Sequence, residues 1–242
     1  VARLGHENSP VRQSAVEALA HMTEKGDAFT LSQVAAHLRH EHWTVRQSAL
    51  QALTQIAERG QAPAVTAVVA GLEDQHQGVR EYAVQALAQV AEKHDAGVVN
   101  ALVARARHAR WTVRQAALQA LSYLTTKGNE LVLRTVAAAL EDEHEEVRWA
   151  AVRALAKVAE RGDQRAIAAV SARLEHQSGC VRRAAVQALG QVAERGDCAA
   201  LGTAASRLEH EQEAVRWTAV RALAHLAEKG DAPAKSCSAA RR

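Results

Sequence analysis

The dipeptide Val-Arg stands at residues 11, 45, 79, 113, 147, 181 and 215, so every interval is 34 residues and the register has no insertion or deletion. Strict self-similarity at such a period restricts a chain to repeat architectures. One short unit cannot bury its own apolar face and must stack on its neighbours. Counting each Val as position 1, position 2 is Arg, positions 5 and 8 are Ala and position 9 is Leu in all seven copies. Position 12 is Met22, Ile56, Val90, Leu124, Val158, Val192 or Leu226. At about 100° per residue these positions share one helical face.

Position 16 is Gly in six copies, with His94 the exception, and position 17 is Asp in five, with Gln61 and Asn129 in the others. Gly closes the first helix by accepting a left-handed conformation. Asp then opens a second by accepting backbone N–H bonds. The second helix is predicted over positions 18–30. Its core letters are position 24 (Val34, Val68, Leu102, Val136, Val170) and position 28 (Leu38, Leu72, Leu140, Leu174, Leu208). A polar loop leads back to Val-Arg. Ser9 before Pro10 reads as an N-cap, and Thr44 and Thr112 as caps at equivalent places.

Two helices per 34 residues predict an all-α chain, an α-solenoid of stacked helix pairs. Aromatics are only 3% of the sequence, so the core is built from Ala, Val and Leu and its helices approach closely. Cys180, Cys198 and Cys237 are odd in number and lack CxxC spacing. They read as free thiols in an intracellular, reducing compartment. No apolar run has the length of a membrane span. A net charge of +3 is too small to argue for nucleic acid. The chain begins in mid-pattern and carries no polar capping repeat, so it is expected to be a piece of a longer array.

The tetratricopeptide pattern of Trp, Gly, Tyr, Phe and Pro is missing, as is the ankyrin Thr-Pro-Leu-His. The phrase LEDEHEEVRWAAVRALAKVAERGD, residues 140–163, instead resembles HEAT repeats, in particular the short HEAT-like type of phycobilisome-lyase-related proteins. The resemblance covers essentially the whole chain. It implies one array over 1–242, with a partial unit 1–26, complete units 27–60, 61–94, 95–128, 129–162, 163–196 and 197–230, and a partial unit 231–242. It also implies that the Val-Arg helix lines the inner, concave wall of a superhelix.

On that helix positions 3, 7 and 11 form one stripe facing away from the apolar arc. The first four rows are Gln13, Glu17, His21; Gln47, Gln51, Gln55; Glu81, Gln85, Gln89; and Gln115, Gln119, Tyr123, with two acids and no Lys or Arg. The later rows are Trp149, Arg153, Lys157; Arg183, Gln187, Gln191; and Trp217, Arg221, His225, with four bases, two Trp and no acid. Trp and Arg are enriched at binding hot spots. Trp149, Arg153, Lys157, Arg183, Gln187, Trp217, Arg221 and His225 are therefore the candidate partner-binding residues. The alternative is a solvated face, with the position-14 Glu pairing with bases on its own helix. The position-2 arginines, Arg12, Arg46, Arg80, Arg114, Arg148, Arg182 and Arg216, read as a structural ladder paired with loop acids or with the position-17 Asp of a neighbour, or as a phosphate-binding ladder.

Twelve His residues raise the question of metal. Deoxyhypusine hydroxylase, a HEAT enzyme, holds two irons with His-Glu pairs directly after Val-Arg, where this chain has Gln-Ser, Glu-Tyr, Gln-Ala, Trp-Ala, Arg-Ala or Trp-Thr. His6-Glu7, His40-Glu41, His144-Glu145 and His210-Glu211 lie in or near the loops instead. Stacked helices stand roughly 10 Å apart, too far for equivalent loop histidines to share an ion. They read as solvated loop residues, and no cofactor, metal or catalytic motif is expected. The function expected is a non-enzymatic scaffold for a protein or peptide with acidic features. Second comes a bilin lyase or chaperone holding a linear tetrapyrrole, with Arg153 or Arg183 on its propionates. Third is a polyanion or nucleic acid on the basic stripe.

Overall fold

A computed structural model describes residues 1–227. Gly230, Asp231, Cys237 and the partial unit 231–242 lie outside the described residues, as does the end of the unit at 197–230. The α-helices described are six pairs followed by one further first helix: α1 (Ser9–Met22), α2 (Ala28–Ala36), α3 (Trp43–Ile56), α4 (Ala62–Gly71), α5 (Gln77–Val90), α6 (Ala96–Arg105), α7 (Trp111–Leu124), α8 (Glu130–Ala138), α9 (Glu145–Val158), α10 (Gln164–Ser171), α11 (Gly179–Val192), α12 (Cys198–Ala205) and α13 (Glu213–Leu226). The odd-numbered helices carry Val-Arg and are 14 residues each. The chain divides into two compact parts, Val1–Thr125 and Thr126–Arg242. In the first, α1, α3, α5 and α7 pack in series, with α2, α4 and α6 as a second layer. In the second, α9, α11 and α13 form one layer and α8, α10 and α12 the other. The fold is an all-α solenoid of helix pairs.

The core follows the period. Val147, Ala151, Ala154, Leu155 and Val158 are all buried, as are their equivalents on α3, α5, α7 and α11. Position 6 joins them: Leu50, Val84, Leu118, Val152 and Val186 are buried although the five-position arc omitted them. The small Ala side chains at 5 and 8 let neighbouring helices approach, and each buried Leu or Val contributes about 1.5–3 kcal/mol. Three expected core residues are exposed, among them Ala18, the α1 equivalent of the buried Ala52. Met22, at the end of α1, lies at 85% exposure. Leu208 is 39% exposed on the last second helix described.

The turn between the helices of a pair differs from the expected cap. The first helix already ends at position 12, and the next residue is extended, as at Ala159 (φ −85°, ψ 144°). Gly26, Gly60, Gly128, Gly162 and Gly196 have φ between 77° and 83°, and His94 adopts 71°. Left-handed backbone carries no side-chain penalty at Gly. The N–H of this residue does not close its own helix. It donates to the position-12 carbonyl of the following repeat: Gly26 to Ile56, Gly60 to Val90, His94 to Leu124, Gly128 to Val158, Gly162 to Val192 and Gly196 to Leu226, at 2.7–3.0 Å. Position 14 lies beyond the end of its own helix. Glu58 and Glu92 lie over Gly26 and Gly60 of the preceding repeat, since the helix ends before position 14.

Position 17 caps the second helix as expected. Asp27, Asp95, Asn129, Asp163 and Asp197 each accept an N–H from the first turn. Gln61 is one methylene longer and bridges instead, accepting Glu58 N–H and donating to the Gly26 carbonyl. Most second helices tighten into 3-10 turns at the end, as at Ala172–Glu175. Arg105, Arg173 and Arg207 there make ion pairs with Glu73, Glu141 and Glu175 of the preceding repeat at 2.8–3.0 Å.

Candidate functional site

The loop before each Val-Arg helix places the site residues, and it is more ordered than its polar sequence implies. The Val-Arg helix begins two residues before Val, so the caps are Asn8, His42, His76, Arg110, His144, Ser178 and Gln212. Ser9, Thr44 and Thr112 lie inside the first turn rather than at the cap. The N–H of each cap residue is taken by the side chain two residues earlier. That acceptor is Nδ1 of His6, His40, His108, His176 and His210, and Oδ1 of Asp74 and Asp142. A backbone N–H only donates, so each of these imidazoles carries its proton on Nε2. Histidine here does the work of an Asx turn.

The carbonyls of the same residue and the next accept from Nη1 of the position-2 arginine at 2.7–2.9 Å, from Arg12 on His6 and Glu7 through Arg148 on Asp142 and Glu143 to Arg216 on His210 and Glu211. Backbone carbonyls are thus the partners that all seven arginines share. No position-17 Asp takes part in these bonds. A loop acid pairs with Arg46, whose Nε and Nη2 reach the Asp74 carboxylate at 2.6 and 2.8 Å. Burial pushes the Asp74 carboxyl up, but the hydrogen bonds from Arg46 and the His76 N–H outweigh it and hold it below the usual carboxylate range. Arg80 faces a loop with His108 in place of Asp74, and burial together with the Arg110 charge lowers its pKa.

The stripe residues of the second part are exposed on α9, α11 and α13. Trp149, Arg183, Gln187, Arg221 and His225 converge around a hollow of about 370 Å³ that also touches Glu145, Arg148, Cys180, Arg182 and Thr218. Arg153, Lys157 and Trp217 do not line it. A second hollow of about 290 Å³ adjoins at the far end of α11, and Gln187 and His225 line both. Trp149 is held by its own helix, its indole N–H donating to Glu145 Oε1 at 3.1 Å. Trp217, 62% exposed, repeats this with Glu213 at 3.4 Å. These acids stand one turn before each Trp and escaped a count restricted to positions 3, 7 and 11, although a Glu four residues before a Trp is visible in sequence. Arg183 Nη2 lies 3.3 Å from Cys180 Sγ, and Arg182 Nε donates to Thr218 Oγ1 at 3.2 Å.

The first part carries a different stripe. Gln13 donates to Glu17 and accepts from Gln51 across the α1–α3 packing, an amide network without cations. Trp43, in the first turn of α3, stacks on His76 with ring centroids 3.9 Å apart. Among the described residues no three His, Cys, Asp or Glu side chains gather as a metal site, and no helix is long and apolar enough to cross a membrane.

The family model for HEAT repeats matches residues 1–88, 65–134, 99–190, 132–205 and 168–236. No curated protein matches the chain. Solved structures similar to it include an engineered protein from a structural genomics consortium (23% identity, 81% of this chain and 98% of that one, TM-score 0.44). A designed armadillo repeat protein is 24% identical, over 81% of this chain and 99% of that one, with a TM-score of 0.43. A second, in complex with the peptide (KR)4, is 21% identical, over 93% of this chain and 97% of that one, with a TM-score of 0.39. Matched from residue 1 to 236 by overlapping segments of the model, the chain belongs to the HEAT-repeat family.

Proposed function

We propose that the chain is a non-enzymatic binding scaffold whose protein or peptide partner docks on the stripe carried by α9, α11 and α13. The observation that carries this reading is the hollow of about 370 Å³ in which Trp149, Arg183, Arg221 and His225 meet from three successive Val-Arg helices. A rigid aromatic flanked by guanidinium groups is the composition of a hot spot. Packed helices supply the preorganisation that keeps the ordering cost of binding low. Binding is favoured over turnover because Cys180 is bonded by Arg183 rather than by an imidazole, the partner a thiol nucleophile needs.

The test is selection of a random displayed peptide library on the full chain. Selected peptides are expected to lose binding to a Trp149→Ala, Arg183→Ala, Arg221→Ala variant whose thermal unfolding is unchanged. Retention by that variant removes the reading.

A further inference from the structure

The charge in the hollow is not neutralised by the protein. Four guanidinium groups line it (Arg148, Arg182, Arg183 and Arg221) against the single carboxylate of Glu145. Among the described residues no ion pair involves any of the four arginines. The hydrogen bonds of Arg148 and Arg182 go to the carbonyls of Asp142, Glu143, His176 and Gln177 and to the Thr218 hydroxyl. Such partners satisfy N–H donors and leave the positive charge in place.

The same fold position shows what an anion does there. Asp74 lies 28 residues after Arg46 and forks onto its guanidinium. At the same offset, Arg148 is followed by His176 and Arg182 by His210. Both histidines keep the turn-closing job through Nδ1, and neither brings a negative charge. The repeats that build the hollow therefore retain the loop geometry and omit the internal counter-ion. Arg183 and Arg221, exposed on neighbouring helices, add two further cations whose guanidinium planes suit a carboxylate or phosphate. Trp149 supplies an apolar wall, already fixed in orientation by Glu145.

We infer that the hollow between α9, α11 and α13 is a socket for an acidic peptide side chain, a carboxylate or a phosphate, inserted beside Trp149 and held by Arg183 and Arg221. This rests on the scaffold reading and names the feature of the partner that the stripe recognises. Cys180 makes it measurable, because its thiol lines the same hollow and is half-buried.

The experiment uses the full chain with Cys198→Ser and Cys237→Ser, leaving Cys180 as the one thiol. Alkylation of Cys180 by iodoacetamide is timed alone, with inorganic phosphate, and with three Gly/Ser octapeptides carrying a central Glu pair, phosphoserine pair or Gln pair. The Glu or phosphoserine peptide is expected to slow alkylation at saturation, and the stronger of the two identifies the carboxylate or phosphate as the natural group. Arg183→Gln and Arg221→Gln are each expected to weaken that protection about tenfold in peptide concentration. Equal protection by the Gln peptide, protection that survives both substitutions, protection by inorganic phosphate alone, or none at all overturns the inference. If library peptides without acidic residues bind and are lost on Trp149→Ala, the scaffold reading stands and the acidic socket falls.

Discussion

Replacing His176 by Asp transplants the Arg46–Asp74 pair onto Arg148. The offset of 28 residues is the same, and the acceptor for the Ser178 N–H is kept, because Asp74 and Asp142 already serve the equivalent N–H through Oδ1. Arg148 is 8% exposed, so its charge is little screened by water. In the existing pair two charge-assisted bonds of 2.6 and 2.8 Å form between side chains 14% and 10% exposed. Bonds to charged groups contribute about 1.5–3 kcal/mol each, and burying a new carboxylate offsets part of that. The net expectation is a gain of about 1–2 kcal/mol at neutral pH. Urea unfolding followed by far-UV circular dichroism measures it as a higher midpoint at constant slope. The sign with pH follows from Asp74, whose folded-state pKa is lowered. A depressed carboxylate contributes its full stability above the unfolded value of about 3.9 and loses it as pH falls through the folded value. An unchanged midpoint near neutrality, or a gain that persists in strong acid, refutes the reasoning.

Gly60→Ala is expected to cost more than Gly162→Ala. Both positions have left-handed φ, worth about 1 kcal/mol, but a Cβ at residue 60 meets Glu92 atoms at 2.8 Å while one at residue 162 meets nothing closer than 3.6 Å. Thermal unfolding of the two variants side by side decides it. Asp197→Ala removes the acceptor of the Ala199 and Ala200 N–H groups and is expected to cost about 1 kcal/mol in urea unfolding. Arg182→Met leaves the His176 and Gln177 carbonyls without their guanidinium donor and is expected to lose about 2 kcal/mol, against a negligible change for Gln187→Ala on the exposed stripe.

The period, the apolar arc and the Gly-Asp turn were legible in the sequence because each is enforced at one chain position by one local cause. Ala151 is small where helices touch, Gly162 is left-handed, and Asp163 caps its own helix. What was not legible depends on backbone groups, which are the same at every residue. The arginine ladder was expected to seek acids, and Arg46 does find Asp74, but the partners common to all seven are carbonyls presented by a turn, and a carbonyl leaves no letter in the sequence. The loop histidines read as solvated for the same reason: their use as acceptors appears only when Asp74 and Asp142 are seen doing the same task at the same position. The candidate stripe was found as a composition change between rows. Which of its members meet, Trp149 with Arg183 and Arg221 but without Arg153, Lys157 or Trp217, is set by the diagonal offset of neighbouring helices.

The bond from the left-handed residue to the following repeat runs one way. Gly162 gives its N–H to Val192, and Gly196 gives its own to Leu226, whereas the position-12 residue returns nothing through this contact. Melting a downstream helix end orphans a donor upstream, while melting an upstream turn frees only an acceptor, which water satisfies more cheaply. Each such bond therefore couples the opening of a turn to the opening of the next helix end. The amide of Gly162 is a reporter for the closure of its neighbour, and its hydrogen exchange follows the opening of α11 rather than that of α9, the helix it succeeds.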